Sequence, residues 1–110
     1  MPRRYRLEIA PTGYRSLKNV KDKKRRRDIA KTIDGLARAP GDQGKALLGP
    51  LAGMRSVHAA RDRFRIIYKV DARAKLVSVL LIGERAPGRE ADIYALAQKL
   101  LATFTSSEED

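Results

Sequence analysis

Histidine occurs once in this chain, at His58, and cysteine not at all, so any acid–base or charge-handling chemistry must come from arginine, lysine, tyrosine, carboxylates and that single imidazole. Thiolate nucleophiles, disulfides and zinc–thiolate sites are excluded. No serine stands in a strained Gly-flanked elbow, and Gly49-Pro50-Leu51-Ala52-Gly53 lacks the lysine and following helix of a phosphate-binding loop. The strongest grouping lies in the second half of the chain. If Arg61-Asp62 form a hairpin turn, His58 falls directly opposite Arg65 on one face, with Ser56 two residues along. Arg85 follows at the end of a later strand, and Tyr94 opens a helix shortly after it. A guanidinium offers fixed donors to phosphate oxygens and almost never loses a proton. Histidine is the side chain that titrates nearest neutrality, and a tyrosine can stack on a base or move a proton. Such a set suits a phosphodiester. Read singly, His58 fits a solvated strand position equally well, outward-facing Arg65 an ordinary charge, and Tyr94 beside Ile93 a packing position.

The whole chain favours the same kind of partner. Its 24 Lys+Arg against 13 Asp+Glu give a formal charge of +11 over 110 residues, which draws polyanions through Coulomb attraction and counterion release. RNA, DNA or an acidic protein are the candidates. A hydrophobic fraction of 43% at regular spacings supports one packed domain over residues 1–104. The polar, acidic tail Thr105 to Asp110 has nothing to bury and is expected to fray. The start of the chain lacks the apolar run of a secretory signal, and the longest apolar stretch, Leu76 to Ile82, is far too short to span a bilayer. A cytoplasmic protein away from membranes is expected.

The elements that must position these residues follow from periodicity. Tyr5, Leu7 and Ile9 alternate with polar residues as in a half-buried strand that Pro11 ends. Thr12 is placed to cap a first helix with Leu17 and Val20 inward, and Lys21-Asp22 make a polar connection. From Lys23, the spacing of Ile29, Ile33, Leu36 and Ala37 predicts a second helix closed by Pro40 and Gly41. Gly41 to Gly53 reads as a loop anchored by Leu47, Leu48 and Leu51. Three strands follow, Met54 to Ala60, Arg63 to Val70 and Lys75 to Gly83, joined by short connections as an antiparallel meander. Val57, Phe64, Ile66, Tyr68 and Val70 form the core face of the hairpin, so His58 and Arg65 should look outward. The third strand is apolar on both faces, Leu76, Leu80 and Ile82 on one and Val77, Val79 and Leu81 on the other, which marks it as central. After the polar segment Ala86 to Arg89, the series Ile93, Leu96, Ala97, Leu100, Leu101 and Phe104 has the spacing of an amphipathic helix. The expected fold class is α+β: a small, twisted, mostly antiparallel sheet of about four strands, with an N-terminal helical hairpin on one side and a C-terminal helix.

This ordered set resembles the RelE/ParE toxin superfamily. The resemblance rests on "LLGPLAGMRSVHAARDRFRIIYKVD" followed by "VSVLLIGERAPGREADIYALAQKLL", about half the chain. Its marks are the Leu-Gly segment leading into a basic strand, "FRIIYKV" carrying Arg65, "IGER" carrying Arg85, and "IY" carrying Tyr94. In the RelE branch the resemblance implies a cofactor-free, metal-independent ribonuclease that cuts messenger RNA in the ribosomal decoding site, with the ribose 2′-hydroxyl as nucleophile. Arg65, Arg85 and Tyr94 match the family's catalytic residues. His58 stands where the family often has one lysine of a catalytic pair and Ser56 where it has the other; the histidine can replace a lysine as acid or base, the serine cannot carry charge. Arg55, Ser56, Arg61 and Arg63 around the hairpin, and Lys24, Arg25 and Arg27 of the second helix, are expected to contact messenger or ribosomal RNA. The resemblance further implies a cognate antitoxin whose flexible, acidic segment wraps the toxin in a hetero-oligomer, covering the exposed side of the sheet or displacing the last helix. The ParE branch, which inhibits DNA gyrase without catalysis, and an inactive homologue that binds only its antitoxin are the alternatives.

Overall fold

The computed structural model describes residues 4–89 and 92–108. Five strands form one sheet in the order β1-β5-β4-β3-β2. They are β1 (Arg6–Ile9), β2 (Lys45–Ala46), β3 (Arg55–Ala59), β4 (Phe64–Asp71) and β5 (Leu76–Glu84); the helices are α1 (Pro11–Lys18), α2 (Lys23–Gly35) and α3 (Ile93–Glu108). Strands β3, β4 and β5 form the expected antiparallel meander, β2 extends it antiparallel to β3, and β1 adds to β5 in parallel. The strand beyond the expected four is β2, two residues inside the segment read as a loop, which pair with Ser56 and Arg55. Two residues are too few to show an alternation. Gly44 allows this edge to close: its φ is +61°, and a Cβ there would lie 2.2 Å from the Ser56 carbonyl oxygen.

Strand β5 is central, as its apolar composition requires, but its two faces are not divided by simple alternation. Ile67 pairs with Leu81 and Tyr68 with Val79, which leaves Leu80 as an extra residue in a β-bulge. The bulge reverses the phase of the strand. Val77, Val79 and Ile82 therefore share the first core with Ile29, Ile33 and Leu36 of α2 and with Phe64, Ile66 and Tyr68 of β4. Leu81 turns instead to the second core, where Leu47, Leu51, Ile67, Ile93 and Ala97 meet on the other face. This corrects the expectation that Ile82 would lie with Leu76 and Leu80, opposite Val77 and Val79.

The bulge also sets the place of α1. Strand β1 pairs with β5 only as far as Val79, so the following backbone groups need other partners. Ala10 donates its N–H to Val79, the Thr12 hydroxyl donates to the Leu80 carbonyl at 2.7 Å, and the Ser16 hydroxyl accepts from the Ile82 N–H at 3.0 Å. Thr12 thus serves the sheet edge; Ala10 occupies the cap position of α1 and Pro11 begins the helix. Gly13 lets the helix come this close. Helix α2 starts on Asp22, whose carboxylate accepts from the N–H groups of Lys24 and Arg25.

Other expectations need adjustment at single residues. Leu47 and Leu51 anchor the loop as expected, whereas Leu48 is 85% exposed. Helix α3 runs on to Glu108, past the end of the amphipathic series, so residues 105–108 are helical where a fraying tail was expected; Glu109 and Asp110 lie outside the described residues. Tyr68 is fully buried and donates toward the carbonyl oxygens of Pro40 and Gln43, tying the end of the α2 connection to β4. Burial pushes its phenol above the ordinary value, with the nearby Arg55 guanidinium pulling the other way, so the hydroxyl remains a donor. No helix among the described residues is long and apolar enough to cross a membrane.

The contact at Gly13 gives a direct test of this packing. A Cβ at Gly13 would lie 2.6 Å from the Val79 carbonyl oxygen, while one at Gly35 meets nothing within 4 Å. In urea unfolding, Gly13→Ala should lose about 1–3 kcal/mol by forcing α1 off β5. Gly35→Ala should be neutral or gain up to about 1 kcal/mol.

Candidate functional site

The site is assembled where the β3–β4 hairpin, the end of β5 and the start of α3 meet. Arg61 and Asp62 form the two-residue turn, with φ of +56° and +71°, the sign that a type I′ turn requires at both central positions. The register is the expected one: His58 pairs with Arg65, and Ser56 with Ile67. Arg65 in turn faces Gly83 on β5. Having no side chain, Gly83 leaves the space that Ile93 fills, at 3.0 Å from where a Cβ would be, so α3 can settle beside Arg65.

Arg65 does not look outward into solvent. It is 5% exposed, and its guanidinium donates to the backbone carbonyls of Asp62 at 2.6 Å and Phe64 at 3.2 Å, with the Asp62 carboxylate 3.9 Å away. The second core and α3 cover this face of the hairpin, which the hairpin's own alternation could not reveal. His58 stays exposed, and its Nδ1 contacts the Asp62 carboxylate. Arg85 leaves β5 two residues after Gly83 and is exposed.

Tyr94 is held from two sides. Its hydroxyl lies 3.0 Å from that of Ser56, itself 3% exposed. At its backbone, the Asp92 carboxylate accepts from the N–H groups of Tyr94 and Ala95, capping α3, while the other carboxylate oxygen accepts from Ala86 at 2.6 Å. One buried aspartate thus ties the segment after Arg85 to the helix that carries Tyr94.

Ser56, His58, Arg65, Arg85 and Tyr94 all line one cleft of about 370 Å³, together with Lys45, Ala46, Leu47, Leu48 and Leu51. That volume falls in the range of about 300–1,000 Å³ usual for ligand clefts. Lys45 is the cross-strand partner of Ser56, shares its face and lines the same cleft. Two arginines, a lysine, a histidine and a tyrosine then line one space, a set suited to an anionic group.

The expected RNA-contacting residues divide differently. Only Ser56 joins the cleft. Arg55 anchors the Gln43 carbonyl at 3.1 Å, whereas Lys24, Arg25, Arg61 and Arg63 line a separate recess with Asp22 and Asp28. There Arg25 lies 3.7 Å from the Asp22 carboxylate; Arg63 also reaches Glu84 at 3.4 Å. Arg27 is exposed on α2. Sequence reasoning missed Lys45, Asp62 and Asp92 as site residues. Asp92 had a legible signal, an N-cap type immediately before an amphipathic run; the other two join the site only through strand pairing and a turn.

No family model matches the sequence, and no curated protein matches it. Solved structures do match. The chain is similar to the RelBE2 toxin–antitoxin complex from Mycobacterium tuberculosis, at 28% identity over 76% of this chain and 93% of that one, with a TM-score of 0.67. It is also similar to E. coli RelE in the free state, at 13% identity over 88% and 95% of the two chains and a TM-score of 0.67. A ParDE system from Pseudomonas aeruginosa gives 18% identity, 74% and 97% coverage and a TM-score of 0.62. The chain is a member of the RelE/ParE superfamily.

Within this RelE/ParE fold, Asp92 holds the start of α3, and so Tyr94, through its backbone bonds. Asp92→Ala should lower stability by about 1 kcal/mol through loss of the cap. Asp92→Asn should retain most of that stability. Thermal unfolding of the two variants, read beside the hydrogen-exchange protection of the first turn of α3, checks both expectations.

Proposed function

We propose that this chain is the toxin of a type II toxin–antitoxin pair and that it cleaves messenger RNA at the ribosome by attack of a ribose 2′-hydroxyl on the adjacent phosphate. The observation that carries this reading is the single cleft into which Lys45, His58, Arg65, Arg85 and Tyr94 converge. Cleavage by this route needs a base for the 2′ proton, donors for the charge that builds on the phosphoryl oxygens, and an acid for the departing 5′-oxygen.

Arg65 and Arg85 are assigned to the phosphoryl charge, because guanidinium donors are fixed in a fork and keep their protons. Arg65 is preorganised for it, since two backbone carbonyls already hold the group in place. Lys45 adds a third positive charge from β2, on the face where Ser56 is neutral. His58 accepts the 2′ proton. The O2′–P bond then forms and the P–O5′ bond breaks, leaving a 2′,3′-cyclic phosphate and a 5′-hydroxyl that takes its proton from Tyr94. The Ser56 hydroxyl, within hydrogen-bond distance of Tyr94, can donate to the phenolate that this transfer leaves. With guanidiniums meeting the phosphoryl charge, the scheme requires no metal or cofactor.

The recess lined by Lys24, Arg25, Arg61 and Arg63, and the exposed Arg27, would bind ribosomal RNA phosphates away from the scissile bond. The RelBE2 likeness, to a toxin–antitoxin complex, supports a cognate antitoxin, and a charge of +11 suits an acidic wrapping segment. The ParDE likeness and the serine at position 56 favour a second reading, a gyrase inhibitor without catalysis.

Inducing the protein in cells, mapping messenger RNA ends and assaying gyrase supercoiling in parallel distinguishes the two. Cleavage within translated codons is expected, falling about 100- to 1,000-fold in Arg85→Ala, whose exposed side chain carries little stability. Arg65→Ala should abolish cleavage too, with its buried position requiring a parallel check of folding. Gyrase inhibition with intact RNA would sink the ribonuclease reading.

A further inference from the structure

Asp62 touches both His58 and Arg65, and no role in the chemistry has been assigned to it. It sits at the second position of the β3–β4 turn, in a left-handed conformation that brings its carboxylate back over the hairpin. The carboxylate meets Nδ1 of His58, while its backbone carbonyl accepts from Arg65. A carboxylate can only accept from a neutral imidazole, so this contact requires the proton on Nδ1. The other nitrogen, Nε2, is then left with a free lone pair.

We infer that Asp62 is a positioning residue, which fixes the tautomer and orientation of His58 so that Nε2 is available as a base in the cleft. Resting on the ribonuclease reading above, it adds the device that makes an exposed imidazole competent. A neutral imidazole left to itself favours the proton on Nε2, the tautomer with its lone pair on the wrong atom. Orientation of a catalytic histidine by a hydrogen bond on its other nitrogen, from a backbone carbonyl or a carboxylate, is a recurring device. In the reaction, Nε2 takes the 2′-hydroxyl proton as the O2′–P bond forms. The imidazolium so produced keeps its Nδ1 proton on Asp62, whose negative charge stabilises it.

The turn supplies a clean variant. Glycine suits the positive φ at this position, and its backbone carbonyl still accepts from Arg65. Asp62→Gly therefore removes the carboxylate, and with it the 3.9 Å approach to Arg65, while leaving the turn and both carbonyl bonds of Arg65 in place; Asp62→Asn keeps an acceptor without the charge. Because the chain has a single histidine, nitrogen-15 spectra of the untagged full-length protein report its tautomer without ambiguity. At alkaline pH the wild type is expected to show His58 mainly protonated on Nδ1, and Asp62→Gly mainly on Nε2. Cleavage of RNA on ribosomes should fall roughly 100-fold in Asp62→Gly, in kcat with KM little changed, and Asp62→Asn should recover part of it.

A wild-type imidazole protonated mainly on Nε2 would overturn the inference, as would an Asp62→Gly protein that cleaves at the wild-type rate. A fixed Nδ1 tautomer in a wild-type protein that cleaves no RNA would uphold the hold of Asp62 on His58 and remove the ribonuclease reading instead.

Discussion

The extra residue at Leu80 is the constraint on which the rest of the molecule depends. Before it, Val77 and Val79 point into the core under α2; after it, Ile82 does so, and Leu81 and Gly83 face α3. A regular strand would have carried the phase of Val77 and Val79 through to position 85. Arg85 would then have emerged on the α2 side. With the bulge, it continues on the side of Leu81 and Gly83, the face of Arg65 and His58. The same irregularity leaves backbone groups that Thr12 and Ser16 satisfy, so the position of α1 and the membership of the cleft have a common cause.

The electrostatics of the cleft are uneven in a way that suits an anion. Burying Arg65 costs several kcal/mol of desolvation, which two charge-assisted hydrogen bonds of about 1.5–3 kcal/mol each offset. Both bonds go to neutral carbonyls, and the exposed Asp62 carboxylate, 3.9 Å away, offsets the guanidinium's charge only in part. Arg85 and Lys45 add charge at the exposed rim, where water lowers the mutual repulsion. A phosphate entering the cleft would meet positive charge already held in position. The basic residues of the outer recess are partly matched by Asp22, Asp28 and Glu84, which makes that surface milder and better suited to reversible contact.

Much of the fold was legible because both common periodicities are strong in this chain. Ile29 and Ile33 mark α2, Ile93 and Ala97 mark α3, and the β3–β4 pairing follows from counting outward from Arg61-Asp62. The cluster of His58, Arg65, Arg85 and Tyr94 could be named for the same reason. Lys45 could not, because a two-residue edge strand has no pattern and exists only through its pairing with β3. The burial of Arg65 was hidden as well. It depends on α3 settling on the sheet at Gly83, beside Arg65, a tertiary contact that no periodicity within the hairpin reports.

By itself, the sequence determined the positive charge, the helix and strand types, the hairpin register and the identity of the chemical groups. These are local properties, set by side-chain type and spacing along one segment. Only the tertiary structure decided which face each group occupies and what holds it there: Arg85 through the bulge, Tyr94 through Asp92 and Ser56, His58 through Asp62. A one-residue slip in a strand exchanges its faces at little cost to local propensity, so packing against neighbouring elements has to make that choice.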